Sequence, residues 1–143
     1  MFKNAIFHPG EESTIHSMYL HELVGNDPRV ISPIATVVVK EADNGKFDLL
    51  TWVYLKPNSS WESVSVHYLP IILQRFSCRK YRRGVNSLDF IFAYYYVSKD
   101  NVPSRVEKVA RFYCSAKNAK ALASKMMGGV RACDSDGLGI YIY

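Results

Sequence analysis

Residues 73–97 read LQRFSCRKYRRGVNSLDFIFAYYYV, and the fold turns on how the second half of that stretch is read. An apolar run, Tyr68 to Phe76, leads into the basic residues Arg75, Arg79, Lys80, Arg82 and Arg83 and then into a single glycine, Gly84. Strand, basic turn, glycine and long apolar element make the layout of an anion-binding loop. Backbone N–H groups at a tight turn and a helix N-terminus point at a phosphate, and flanking Arg or Lys add charge. The plainer reading is a solvated basic loop after a core strand. Leu88 to Val97 is the test. Leu88, Ile91, Phe92 and Tyr95 fit one helical face, while the aromatic, near-continuously apolar run also suits a buried strand. A helix is expected, with Asn86 or Ser87 at its N-cap, because a basic loop holds phosphate best when a helix dipole points at it.

Composition bounds the rest. The 143 residues suffice for one domain spanning 1–143 that buries most of its apolar surface without staples. No apolar run approaches the roughly 20 residues of a membrane helix, and the start, MFKNAIFHPGEES, lacks the basic and apolar regions of a signal peptide. A cytoplasmic protein with no membrane association is expected. Cys78, Cys114 and Cys133 are an odd number without close pairing, which argues for a reducing compartment, against a disulfide framework and against a zinc site. No metal is expected. The formal charge of +5 favours an anionic partner.

Working outward, Phe2 to Phe7 reads as a first strand. Glu11 to Leu23 carries Ile15, Met18, Tyr19 and Leu23 at helical spacing, with Gly25 as its stop. His16 and His21 lie five apart and do not share a face as two metal ligands should, so they read as surface histidines. Ile34–Glu41 and Lys46–Lys56 form a hairpin around Asn44-Gly45, which suits a type I′ turn. A third strand is expected from about Trp61 to Phe76, interrupted or bulged at Pro70 because proline cannot donate to a ladder. Ser104-x-x-Glu107 could be a capping box, yet Val109, Phe112 and Tyr113 sit poorly on one helical stripe, and a strand from Val106 to Cys114 is preferred. Ser115 caps a helix from Ala116 to Met127, and Leu138 to Tyr143 closes the chain as a strand. The expected class is α+β, a mixed and mostly antiparallel sheet flanked by helices, in the order β-α-β-β-β-α-β-α-β.

Two places carry a family resemblance. LQRFSCRKYRRGVNS resembles the strand and pyrophosphate loop of the GNAT acyltransferases, whose loop follows Arg/Gln-x-x-Gly-x-Gly/Ala. It is similar above all to the toxin-like branch, where a Leu-x-Arg-Leu strand enters a basic, tyrosine-containing loop. NAKALASKMMGGV, Asn118 to Val130, is similar to the family's Asn-x-x-Ala segment, with Ala121 in register and Gly129 near its end. The chain departs from the pattern at Tyr81, where the loop has Arg, and at Asn86, where it has its second glycine. Lys125 stands where a tyrosine general acid is common, and Val130 where the family has Phe.

The resemblance implies acyl transfer from acetyl-CoA to a primary amine. Phe76, Ser77 and Cys78 would hold the pantetheine and thioester. The amides of Arg82, Arg83, Gly84, Val85, Asn86 and Ser87 would cradle the pyrophosphate, Arg79, Arg82 and Arg83 would neutralise it, and Asn118 would join the cofactor site. Glu62 and His67, on the expected third strand, are candidate bases for the amine proton. The branch includes enzymes acting on aminoacyl-tRNA, so tRNA or another polyanion is the implied acceptor or partner.

A rival class is a basic nucleic-acid-binding α+β module. The closing β-α-β could end a ferredoxin-like sheet, with Lys108, Arg111, Phe112 and Tyr113 as the face on which bases stack, although the Arg-Gly-Phe-like core of such a strand is absent. A third reading is a catalytically silent acyltransferase fold used as a binding protein in a phage or mobile element. The oligomeric state is open, a homodimer included.

Overall fold

A computed structural model describes residues 8–76, 79–100, 102–119, 121 and 138–142. The expected first strand and the body of the helix after Ala116 lie outside the described residues, as do Ser77, Cys78, Lys125 and Cys133. The remainder is an α+β arrangement of one five-stranded mixed sheet with helices on one face.

Helix α1 spans Pro9–Val24, with Pro9 in its first turn and Glu11 and Glu12 where the helix dipole favours acids. Its buried residues recur every fourth position, Glu12, His16, Leu20 and Val24. The core stripe is therefore not Ile15–Met18: Ile15 and Met18 are exposed, and the supposed surface histidine, His16, is buried. Strands β1 (Val30–Glu41) and β2 (Phe47–Leu55) form the expected antiparallel hairpin. The turn is a three-residue form rather than type I′. The Gly45 amide donates to the Ala42 carbonyl at 3.1 Å, Asn44 Oδ1 accepts from the Lys46 amide at 3.0 Å, and Gly45 alone takes the left-handed φ of 78° among the described glycines.

The expected third strand is a helix. Ser60 Oγ accepts from the Ser63 amide and opens α2, Trp61–Arg75. Val64, Tyr68, Leu69, Ile72 and Leu73 then fall on one buried stripe at i, i+4 and i+5 to i+9 spacing, with Phe76 fully buried just beyond. Pro70 sits inside this helix and is itself buried, so its missing N–H lengthens no ladder but leaves the helix one bond short. A short helix, α3 (Arg79–Gly84), follows and seats Tyr81 in the core.

Leu88 to Val97, expected as a helix, belongs instead to strand β3, Val85–Val97. It occupies the centre of the sheet, parallel to β2 across the α2–α3 crossover and antiparallel to β4, Pro103–Ser115. Leu88, Phe90 and Phe92 face the helices, and on the other face Ile91 and Ala93 are buried between the larger side chains of β2 and β4, so an almost continuous apolar run suits this central position. Strand β5, Leu138–Ile142, pairs antiparallel with β4 at the far edge. The other edge, β1, is flanked by α1, whose Ser13 hydroxyl donates to the Val37 carbonyl at 3.2 Å.

The core lies between sheet and helices. Leu49, Val53 and Leu55 of β2, Leu88, Phe90 and Phe92 of β3, and Phe112 and Cys114 of β4 join Leu20, Val24, Leu69, Ile72 and Phe76 in one buried cluster. Each fully buried residue of this size contributes about 1.5–3 kcal/mol relative to exposure. Tyr68 donates to Asp27 Oδ2 at 2.6 Å while Arg29 grips the same carboxylate, pinning the α1–β1 connection to α2. The Arg29 hydrogen bond, helped by Tyr68, holds the Asp27 carboxyl well below the usual range.

Candidate functional site: the open face of the sheet

Alternation along β2 sends Leu49, Thr51, Val53 and Leu55 toward the helices and leaves Asp48, Leu50, Trp52 and Tyr54 on the opposite face, half-buried. Every described helix contributes to the core cluster on the first face, so among the described residues no helix covers the second. Cross-strand register then assembles rows on that open face. Leu50, Asp89 and Tyr113 make one; Trp52, Ile91 and Arg111 the next; Tyr54, Ala93 and Lys108 the third; Tyr95 and Val106 the last.

One irregularity is decisive for this arrangement. The β3–β4 register slips between Phe92↔Ala110 and Ala93↔Lys108, leaving Val109 as the extra residue of a bulge. Without it Val109 would stand opposite Ala93. With it, Lys108 joins Arg111 and Tyr113 on the open face.

The rings there are ordered by one another. Trp52 and Tyr54 lie near-parallel, 18° between planes and 6.0 Å between centroids, and Tyr95 meets Tyr54 edge-on at 5.6 Å. Lys108 Nζ sits 5.5 Å from the Trp52 ring centroid, and the Arg111 guanidinium 5.9 Å from that of Tyr113. Arg111 is oriented by Asp89, its Nε donating to Oδ1 at 2.8 Å and to Oδ2 at 2.9 Å. Small or branched Ala93 and Ile91 are buried in register between these larger neighbours. The face thus offers flat π surface with cations at its side, fixed before any ligand arrives.

The residues singled out for acetyl-CoA are not gathered this way. Phe76 is fully buried in the core. Arg79, Arg82, Arg83 and Gly84 belong to helix α3, and Val85, Asn86 and Ser87 open strand β3 rather than a helix. Asn86 Nδ2 donates to Asp48 Oδ1 at 2.8 Å, Ser87 Oγ donates to the same oxygen, and Asn86 Oδ1 accepts from Asn44 Nδ2 at 2.9 Å. These groups tie β3 to the hairpin. Basic stretch and glycine therefore sit between a helix and a strand, the reverse of strand, loop, helix, and no helix N-terminus follows the loop. Asn118 ends the 3₁₀ turn Ala116–Asn118 after β4. Glu62 and His67 are exposed on α2, not on a strand, and line a shallow groove with Val66 and Ile71. Of the rival set, Lys108, Arg111 and Tyr113 share the open face, whereas Phe112 turns into the core against Phe92 at 5.5 Å.

Trp52 and Tyr54 were not singled out in the sequence, and Tyr95 only as part of an expected helical face, although a signal is present. In TWVYL, Trp52 and Tyr54 alternate with Thr51, Val53 and Leu55. Cys114 is buried, and burial pushes its thiol up to about 12, which leaves it a packing residue. Among the described residues no group of three or more His, Cys, Asp or Glu could hold a metal ion, and no helix is long and apolar enough to cross a membrane. No protein-family model, curated protein or solved structure matches the chain.

Proposed function

We propose that this protein binds nucleic acid on the open face of its sheet. The observation that carries the reading is the gathering of Trp52, Tyr54, Tyr95 and Tyr113 with Lys108 and Arg111 on a face that no described helix covers. Aromatic rings stack on bases whatever their identity, and cations beside them meet the phosphates. The chain's net charge of +5 adds a long-range attraction for a polyanion. The phosphate-cradle part of the acetyl-CoA reading drew on a loop followed by a helix, and a strand follows the basic stretch instead. Binding of tRNA, measured by filter retention from low to physiological ionic strength, tests the proposal. Affinity should fall linearly on logarithmic axes, by roughly 0.7–0.9 per phosphate contacted. No retention even at low salt overturns it, and saturable heat on titration with acetyl-CoA would return the acyl-transfer reading to first place.

A further inference from the structure

The two rings of β2 point to more than a general attraction for nucleic acid. Trp52 and Tyr54 stand two residues apart on one strand, their rings within 18° of parallel and their centroids 6.0 Å apart. Centroids about 4.5–7 Å apart are usual for offset-stacked rings. The pair therefore forms a continuous π platform along β2. Tyr95 braces Tyr54 from the side at 5.6 Å, edge-on, and Lys108 stands 5.5 Å from the Trp52 centroid on the row beside it. A base laid against such rings must have a face free. Bases inside a duplex have theirs covered by their neighbours, while those of a loop, bulge or end can be splayed out and stacked on aromatic side chains.

We infer that the Trp52–Tyr54 pair receives an unpaired base, so that the open face selects single-stranded over duplex nucleic acid. The inference rests on the proposed function and narrows its ligand. Asp89 contributes to it, since it holds Arg111 in place on the row of Trp52. A single strand can route its backbone along the Lys108 side of the sheet; a duplex presents two backbones and hidden bases.

The test compares one oligonucleotide of mixed sequence as a single strand and annealed to its complement, followed by tryptophan fluorescence at constant salt. The chain holds two tryptophans. Trp61 packs against Phe112 in the helix layer and serves as an internal reference. The single strand should bind at least about tenfold more tightly than the duplex and quench the emission. Y54A should weaken single-strand binding by about tenfold. W52F, which swaps the indole for a smaller ring, should weaken single-strand binding a few-fold by filter retention and lose the quench. Equal affinity for duplex and single strand, or a quench that persists in W52F, overturns the inference while leaving nucleic-acid binding in place. Binding of neither form overturns the proposed function itself.

Discussion

His16 is the residue whose placement has the most direct physical consequence. It is 1% exposed, wedged edge-on against Phe76 at 4.9 Å and beside Tyr19, and neither ring nitrogen has a hydrogen-bond partner. The groups facing it are Glu12 on α1, Arg75 on α2 with its guanidinium 4.1 Å over Tyr19, and Tyr81 on α3, which donates to Glu12 at 3.1 Å. Burial above all, then the Arg75 charge, lowers the His16 pKa from 6.5 to about 4. Because the folded value lies below the unfolded one, the unfolded chain takes up the proton first as pH falls. The stability tied to a neutral His16 is whole above 6.5 and is lost progressively as pH drops toward 4. From that shift the wild type should lose roughly 2 kcal/mol between about pH 7.5 and about pH 5. Urea midpoints of wild type and H16L at both pH values check this: the leucine variant should show the flatter dependence, and equal slopes would refute it. Asp27, whose pKa is depressed, adds stability that is lost only below 3.8, outside this window. Nothing in the sequence announced the burial of His16. Glu12 and His16 face the core together, and Tyr81, distant in sequence, supplies a hydrogen bond to the acid.

Two elements exchanged identity between sequence and structure, and each exchange has a cause in particular residues. Trp61 to Phe76 was expected as a strand broken at Pro70, yet Val64, Tyr68, Ile72 and Phe76 step at four-residue intervals and Ser60 caps them. The period outweighed the proline, since burial of that stripe exceeds what one missing hydrogen bond costs. In Leu88 to Val97 the helical face Leu88–Ile91–Phe92–Tyr95 was equally legible, and only pairing with β2 and β4 on both edges, which no local pattern encodes, decides against it. The hairpin at Asn44-Gly45, the strand from Val106 and the closing strand were legible because turn chemistry and alternation are local. The bulge at Val109 was not, since it depends on the partner strand. Strand and helix differ in one measurable way here. Phe90 is 2% exposed on the helix side of β3 and would be on the outer face of a helix, so F90A should cost about 3–5 kcal/mol. Tyr95, which a helix would bury beside Phe92, loses mainly its edge contact with Tyr54, and Y95A should cost about 1 kcal/mol. Denaturant unfolding of the two variants gives both numbers, and a Y95A loss as large as that of F90A would contradict the strand.

At the scale of the molecule the question is which side a polyanion meets. The sheet divides two groups of cations. Lys108 and Arg111 belong to the open face, while α3, whose Tyr81 is seated in the core with Phe76, puts Arg83 on the helix side. Charge count alone does not choose between them, because long-range attraction to +5 acts from any direction. Contact does choose, since counterions are released only where phosphate and cation meet. With the ligand on the open face, K108A should reduce the slope of log affinity against log salt by about 0.7 for a single strand. R83A should leave that slope unchanged, apart from a small uniform weakening through net charge. Both side chains are exposed, so neither substitution should change the unfolding free energy by more than about 0.5 kcal/mol. The measurement is a salt series of single-strand affinities for wild type, K108A and R83A. Should R83A flatten the slope while K108A keeps it, the polyanion docks on the helix side through the basic stretch. The rings of Trp52, Tyr54 and Tyr95 would then be a packing feature of the sheet.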